Sequence, residues 1–308
     1  MSWMRRILVA ASENDWLRER APRLGFVRRG AARFLPGEDA SSAIAAARLL
    51  AANGISALLT HLGENVRDRA ESEAVTRQYL DLLDLIRSEA LPAEISVKLT
   101  QLGLDVDREL CFANLAKLLE YSAGKTVWID MEQSSYLDAT LELHARARKS
   151  HPRVGVCVQA YLYRTAKDVE SLISMGAAVR LVKGAYSEAR EIAYPRKSDV
   201  DDSYFRLAQT LLRSDARLAG VRAVMATHDV KLIHRIADWA AHEGISRDHL
   251  EFAMLYGIGR AEQVRLARDG YRSDVLISYG TFWFPWFMRR LAERPANIFF
   301  LARNLFSR

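Results

Sequence analysis

The sequence of 308 residues contains few cysteines: Cys111 and Cys157 are the only two, and no CxxC or cysteine–histidine spacing surrounds them. A chain of this length buries about 75% of the surface that its unfolded form exposes, so it needs no disulfide bonds to be stable. This cysteine usage argues for a reducing compartment and against a structural zinc site.

Long hydrophobic runs are also missing. Near the start of the chain, two arginines precede only five consecutive apolar residues, at positions 7–11. Such a run is too short for the core of a signal peptide and for a membrane span. No later segment approaches 18 uncharged apolar residues. We therefore expect a cytoplasmic protein.

Charge of one sign is not concentrated anywhere. The chain has 44 basic and 38 acidic residues, for a net charge of +6, and no block of five like charges. This distribution gives little support to a nucleic-acid-binding surface, and we expect no nucleic-acid partner. A basic surface could still contact anionic lipid at a membrane periphery.

A regular alternation begins after residue 54. Eight short apolar runs cover residues 55–59, 94–99, 126–130, 154–159, 178–182, 222–227, 250–255 and 274–278. Eight longer amphipathic segments cover residues 64–89, 105–121, 134–149, 165–175, 201–213, 229–243, 260–269 and 284–292. Buried parallel strands covered by helices show this pattern. It predicts an α/β fold of the (βα)8 TIM type.

The alternative to the barrel is an open, doubly wound sheet. No GxGxxG or GxxxxGK[ST] motif follows any of the runs, which counts against that alternative. We divide the chain into an N-terminal helical segment (residues 1–53), a barrel domain (54–297) and a C-terminal tail (298–308).

Polar residues stand where the predicted strands end, which is where TIM barrels carry their active sites. These residues are Lys98, Asp130, Glu132, Gln159, Arg164, Arg180, Lys183, Thr227, His228 and Asp229. Each also has a structural interpretation: Lys98 could neutralise Asp130, His228 could be a core histidine, and Asp229 could cap a helix. A metal site from Asp130, Glu132 and His228 lacks a supporting spacing, and no nucleophilic triad is evident.

The stretch FWFPWFMRRLAERPAN, residues 282–297, combines aromatic residues with an arginine pair. On a helix, Trp286 lies one turn before Arg290, so the guanidinium groups emerge beside a large ring. Such a pair suits a carboxylate or a phosphate. The alternative is an amphipathic surface helix with an ordinary Arg289–Glu293 salt bridge.

Seven stretches resemble the strand-end motifs of the proline dehydrogenase family, in the family's order: SVKLTQLGLD, IDMEQ, QAYLYRT, RLVKGAY, ATHD, EFAMLYG and FMRRLAERPAN. The resemblance implies a distorted (βα)8 barrel with N-terminal helices and with its eighth helix over the mouth. It also implies a bound FAD, held without a Rossmann motif. The expected reaction is the oxidation of L-proline to 1-pyrroline-5-carboxylate. The electrons would pass to a quinone, and the protein could sit peripherally on the inner face of a membrane.

The resemblance further implies a role for individual residues. Arg289, Arg290 and Lys98 would hold the substrate carboxylate, Asp130 would be the active-site carboxylate, and Arg180 would lie near the reactive flavin nitrogen. Glu64 and Arg164 would form a pair that closes the site. The residues lining the FAD would be Met131, Gln159, Lys183, Gly184, Ala185, Thr227 and His228.

Three positions depart from the family pattern. Leu276 and Trp286 stand where the family has tyrosines, and Thr60 stands where it often has an aspartate. All three changes concern the substrate pocket or its closure, so a substituted proline or another cyclic imino acid is an alternative substrate. Enzymes of this kind that prefer hydroxyproline also have a smaller residue at the position of Leu276. Two further alternatives are a flavin barrel resembling methylenetetrahydrofolate reductase and a flavin-binding protein without turnover.

Overall fold

The computed structural model describes residues 14, 16, 20–63 and 66–293. Within these ranges, the side chains of Phe26, Arg289, Ala292 and Glu293 are not described. The predicted tail from residue 298 onward lies outside this part of the chain, and the predicted division into three segments stays a prediction.

Eight strands form a closed, parallel barrel in sequence order. They are β1 (Ser56–His61), β2 (Ala93–Val97), β3 (Val127–Ile129), β4 (Val154–Gln159), β5 (Ala178–Val182), β6 (Arg222–Ala226), β7 (Glu251–Leu255) and β8 (Arg272–Tyr279). β8 pairs in parallel with β1, which closes the ring. The predicted TIM-type barrel is confirmed, and each strand overlaps one of the eight apolar runs.

The helices are α1 (Gly25–Ala31), α2 (Ala40–Ala51), α3 (Arg69–Ser88), α4 (Arg108–Tyr121), α5 (Leu137–Arg148), α6 (Thr165–Ser174), α7 (Lys197–Leu211), α8 (Ser214–Leu218), α9 (Val230–His242), α10 (Arg260–Arg268) and α11 (Trp283–Glu293). Asp39, Asp68 and Asp107 begin α2, α3 and α4, because each carboxylate accepts a hydrogen bond from a backbone N–H of the first turn. In the described part of the chain, no helix is long and apolar enough to cross a membrane.

The helix that follows β8 does not cover the outside of the barrel. α2 instead packs against β8 and β1. α11 forms an apolar cluster with the N-terminal segment, in which Trp283, Phe284, Phe287 and Leu291 contact Ala21, Ala31, Phe34, Leu35 and Leu62. Because Leu62 follows the carboxyl end of β1, this packing places α11 at the mouth of the barrel.

The middle of the barrel interior is filled by Trp128. Its indole belongs to a buried cluster with Leu58, Ala178, Val224 and Ala253. A Cβ at position 155 would lie 2.5 Å from the indole ring, so the ring needs a glycine on the neighbouring strand. The indole separates the two ends of the interior, and each end carries its own polar network.

The network at the amino end of the strands is an ion-pair cluster around Arg222. Its guanidinium bonds both oxygens of Glu94, at 2.8 and 3.0 Å, and both oxygens of Glu251, at 2.9 and 2.5 Å. Trp128 Nε1 also donates to Glu94, at 2.7 Å. Asp274 completes the cluster at the edge of a cavity of about 400 Å³. Sequence reasoning missed this network.

Asp274 makes stability depend on pH. Burial and then the charge of Glu251 raise the pKa of Asp274 well above its usual range. Folding therefore takes up a proton, and stability falls as pH rises between the unfolded and folded pKa values. An asparagine at this position would not titrate and could still donate to Glu251. We expect Asp274→Asn to raise Tm over the parent protein by a margin that grows as pH rises above the usual pKa of a carboxyl group.

Thermal unfolding at several pH values measures this margin. Asp202→Asn is the matched control, because Asp202 is an exposed carboxylate paired with Arg235. A constant difference in Tm across the pH range would contradict the role assigned to Asp274.

Candidate active site

Three predicted site residues meet at the carboxyl ends of neighbouring strands. Asp130 Oδ1 accepts hydrogen bonds from Arg180 Nη2 and, at 2.8 Å, from the hydroxyl of Ser96. Asp130 Oδ2 lies 3.7 Å from Lys98 Nζ. One carboxylate thus stands between two cations, and the surplus positive charge favours an anionic ligand.

Arg180 is fixed on several sides. Its side chain is 3% exposed. Nε donates to Cys157 Sγ at 3.0 Å, Nη2 donates to Ser96 Oγ at 2.8 Å, and the guanidinium carbon lies 5.4 Å from the centre of the Trp128 ring. The buried Nη1 has no hydrogen-bond partner among the described residues. This nitrogen is the donor that remains for a ligand.

Gln159 ends β4 and holds the loop that follows β3. Its Nε2 donates to the backbone oxygens of Met131, at 3.4 Å, and Glu132, at 3.1 Å. Its Oε1 is buried and lacks a partner within the described part of the chain. The side-chain nitrogen of Gln159 therefore bonds the protein, and its side-chain oxygen remains as an acceptor.

Lys183 lies in a cluster of charges at the ends of β5 and β6. Its ammonium bonds Asp201 at 2.5 Å and Asp229 at 2.8 Å, and Lys197 bonds the same two carboxylates. Burial opposes the charge on Asp229, but the two lysines hold its pKa below the usual range. Asp229 is the N-cap residue of α9, but its side chain makes no capping hydrogen bond, and the carboxylate bonds the two lysines instead.

Thr227 and His228 are held at the end of β6. Thr227 Oγ1 accepts from the backbone N–H of Asp229 at 3.2 Å, and His228 Nε2 accepts from the N–H of Leu255 at 2.8 Å. The half-buried imidazole thus fixes the neighbouring strand β7.

Gly184 follows β5 with a φ of +111°, and a Cβ there would lie 2.3 Å from the ring of Tyr161. Packing against Tyr161 therefore requires the glycine, independently of any phosphate. Ala185 beside it is exposed.

Trp286, Arg289 and Arg290 all lie on α11. Trp286 packs against the N-terminal cluster, and the guanidinium carbon of Arg290 lies 5.8 Å from the centre of its ring. The side chain of Arg289 lies outside the described atoms. Leu276 faces the barrel interior opposite Leu58 on β1 and remains partly exposed.

The predicted closing pair is described only in part. Arg164 bonds Asp168, at 3.0 and 3.1 Å, and Asp138, at 2.7 Å. Glu64 lies outside the described residues, so its pairing with Arg164 stays a prediction.

Sequence reasoning missed Ser96, Cys157 and His61. Ser96 lies two residues before Lys98, so the two face the same side of β2, and a polar residue at that spacing was the available signal. His61 ends β1, where burial and then the charge of Lys98 lower the pKa of its imidazole. Cys157 gave no signal, since buried cysteines are common in cores.

The family model described as "Proline dehydrogenase" matches residues 43–303. "Proline dehydrogenase 2" of Bacillus subtilis (strain 168) is 38% identical over 280 residues, which cover 90% of this chain and 91% of that protein. "Proline dehydrogenase" of Deinococcus radiodurans is 36% identical over 286 residues, which cover 89% of each chain.

Solved structures share the fold. Proline utilization A from Bdellovibrio bacteriovorus, inactivated by N-propargylglycine, superposes with a TM-score of 0.81 at 24% identity. The match covers 98% of this chain but only 38% of that chain. Proline utilization A from Bradyrhizobium japonicum matches with a TM-score of 0.73 over 90% of this chain and 32% of its own. The chain thus spans about a third of these larger proteins.

Proposed function

This chain belongs to the proline dehydrogenase family and is a proline-oxidising enzyme; we propose that it is a flavoenzyme that converts L-proline to 1-pyrroline-5-carboxylate. The observation that carries the proposal is the buried group of Lys98, Asp130 and Arg180 at the carboxyl end of the barrel. It offers positive charge for a substrate carboxylate, and oxidation by hydride removal requires no covalent nucleophile.

The residues at this end suit an FAD. Arg180 Nη1 and Gln159 Oε1 are a buried donor and a buried acceptor that lack partners among the described residues. They lie on adjacent strands, where Cys157 pairs with Arg180 and Gln159 pairs with Val182. Buried polar atoms normally find partners, and the edge of an isoalloxazine ring presents both acceptors and a donor. Met131, Lys183, Gly184, Ala185, Thr227 and His228 would line the same half of the mouth.

FAD, when bound, supplies the acceptor for the hydride that leaves the ring carbon next to the proline nitrogen. The chain's own residues orient the substrate. Lys98, Arg289 and Arg290 would hold its carboxylate, which turns the reaction into one between fixed groups. Ser96 and Arg180 occupy Asp130 Oδ1, which leaves Oδ2 to order Lys98. α11 would exclude water from the mouth.

A quinone at a membrane surface is the proposed electron acceptor. Residues 20–37 carry five arginines and no acidic residue. All five arginine side chains are exposed, as are Trp16 and Leu24. The segment that carries them packs on α11 through Ala21, Ala31, Phe34 and Leu35, so this basic surface lies beside the mouth. Such a surface supports contact with anionic lipid.

Anaerobic addition of L-proline tests the proposed function. The purified protein should show an FAD spectrum, and proline should bleach it. Transfer of the electrons to a soluble quinone analogue should restore the colour. A protein that stays colourless after incubation with FAD would overturn the flavin assignment. A yellow protein that proline does not bleach would be a binding protein without turnover.

A further inference from the structure

The guanidinium of Arg180 is held inside the barrel by side chains from other strands. Arg180 lies on β5, level with Cys157 on the neighbouring strand β4. Its Nη2 reaches past β4 and β3 to the hydroxyl of Ser96 on β2, at 2.8 Å. The arginine side chain is almost completely buried, so water does not share in holding it. The few side chains that it touches therefore decide where its charge lies.

Cys157 holds the guanidinium with a neutral group. Its Sγ accepts a hydrogen bond from Arg180 Nε at 3.0 Å. Burial raises the pKa of the thiol, so the sulfur carries no charge at neutral pH. A backbone hydrogen bond from Met131, the residue after Asp130, reaches the same sulfur. The thiol thus orients Arg180 without neutralising its charge.

Ser96 joins Arg180 to Asp130. Its side chain is fully buried. The hydroxyl accepts from Arg180 Nη2 and donates to Asp130 Oδ1, at 2.8 Å each. A hydroxyl has only one proton to donate, and this arrangement uses it on the carboxylate. Loss of either the thiol or the hydroxyl would let the guanidinium turn away from its present direction.

We propose that Cys157 and Ser96 are positioning residues, which fix the charge of Arg180 beside the flavin and thereby raise the reduction potential of the flavin. The inference rests on the proposed function, which places Arg180 at the edge of the flavin ring. A positive charge fixed near the ring nitrogens tunes a flavin in this way, and such tuning requires supporting residues that keep the charged group in place.

Replacing Cys157 by alanine removes the acceptor of Nε. The midpoint potential of the bound flavin should fall by about 30 mV, which corresponds to a tenfold change in its reduction equilibrium. We expect kcat for proline to fall about tenfold, the effect of one lost hydrogen bond. KM should stay within about twofold, because in the described part of the chain Cys157 makes no hydrogen bond to Lys98 of the carboxylate clamp. Anaerobic titration with dithionite measures the potential without substrate.

Two further variants test the hydrogen bonds themselves. Ser96→Ala should lower the potential by a similar amount. Cys157→Ser keeps an acceptor at nearly the same place and should restore most of the potential and of kcat. Cys157→Val nearly fills the space of the thiol but offers no acceptor, so it gives the same test if alanine costs the protein its flavin.

A double variant and two controls separate positioning from general packing. On an Arg180→Met background, Cys157→Ala should have no further effect on the potential or on kcat, because the thiol acts only through the guanidinium. Cys111→Ala and Ser122→Ala are the matched controls. These buried side chains bond backbone oxygens instead of Arg180, at 3.5 and 2.8 Å. Both controls should keep the parent potential.

Potentials equal to the parent value in Cys157→Ala and Ser96→Ala would overturn the proposal. A serine variant no better than the alanine variant at position 157 would do the same, as would an equal shift in the controls. Failure of the proposed function looks different: proline would leave the flavin of the parent enzyme oxidised, although dithionite still reduces it and the variants still shift its potential.

Discussion

Replacing Arg180 by methionine is expected to lower kcat/KM for proline by about a hundredfold to a thousandfold, the loss typical of removing a buried donor from a reacting centre. Asp130 would lose its strongest partner and turn towards Lys98. The donor proposed to meet the flavin would also be missing. Steady-state kinetics with a dye acceptor measure the loss, and the flavin spectrum shows whether the variant still binds its cofactor.

Arg180→Lys shows whether the positive charge of Arg180 or the shape of its guanidinium group matters, and Arg213→Met is the exposed control. Lysine keeps the charge but cannot reach Cys157, Ser96 and Asp130 with one planar group, so most of the loss should persist. Arg213 is exposed and bonds Glu170 and Asp215, and its replacement should leave turnover intact. If Arg180→Met retained parent activity with full flavin content, the arginine would have no role in the reaction.

Replacing Arg222 by methionine is expected to lower the free energy of unfolding by about 3–5 kcal/mol, because it leaves buried carboxylates without their cation. Glu94 and Glu251 both depend on this one guanidinium. The cluster lies at the opposite end of the barrel from the candidate active site, so kcat/KM of the folded fraction should stay near the parent value. Urea unfolding measures the change.

A triple replacement tests whether the loss of stability in Arg222→Met comes from the unpaired carboxylates. Arg222→Met combined with Glu94→Gln and Glu251→Gln removes the unpaired charges and should recover part of the lost stability. Arg213→Met serves again as the exposed control and should cost less than about 1 kcal/mol. A loss for Arg222→Met no larger than that of the control would show that the cluster is not a stabilising element.

The barrel could be predicted because its strands and helices leave different patterns in the sequence. The strands are short continuous apolar runs, whereas the helices are longer segments in which apolar residues recur at the helical period. The position of α2 could not, since an amphipathic pattern shows that a helix buries one face but not which surface it covers. The ion-pair cluster was missed for a related reason. Glu94, Arg222 and Asp274 begin three of the apolar runs, so they marked strand boundaries, although their spacing puts them on the interior face.

Much of the site could be predicted from the rule that functional residues follow barrel strands. That rule, together with the family resemblance, singled out Lys98, Asp130 and Arg180, which the structure brings together. It could not reveal that Ser96 and Cys157 hold Arg180, because those contacts depend on how far each strand is shifted against the next.

The packing of α2 and α11 has a consequence for synthesis on the ribosome. α2 rests on β1 and on β8, the last strand to emerge, and the N-terminal cluster is completed only by α11. Until the segment from Arg272 onward leaves the exit tunnel, β1 keeps an unpaired edge and the earliest helices keep an uncovered apolar face. Open strand edges and exposed apolar surface promote aggregation of nascent chains. We therefore expect the nascent chain to need chaperones until β8 and α11 have emerged and covered these surfaces.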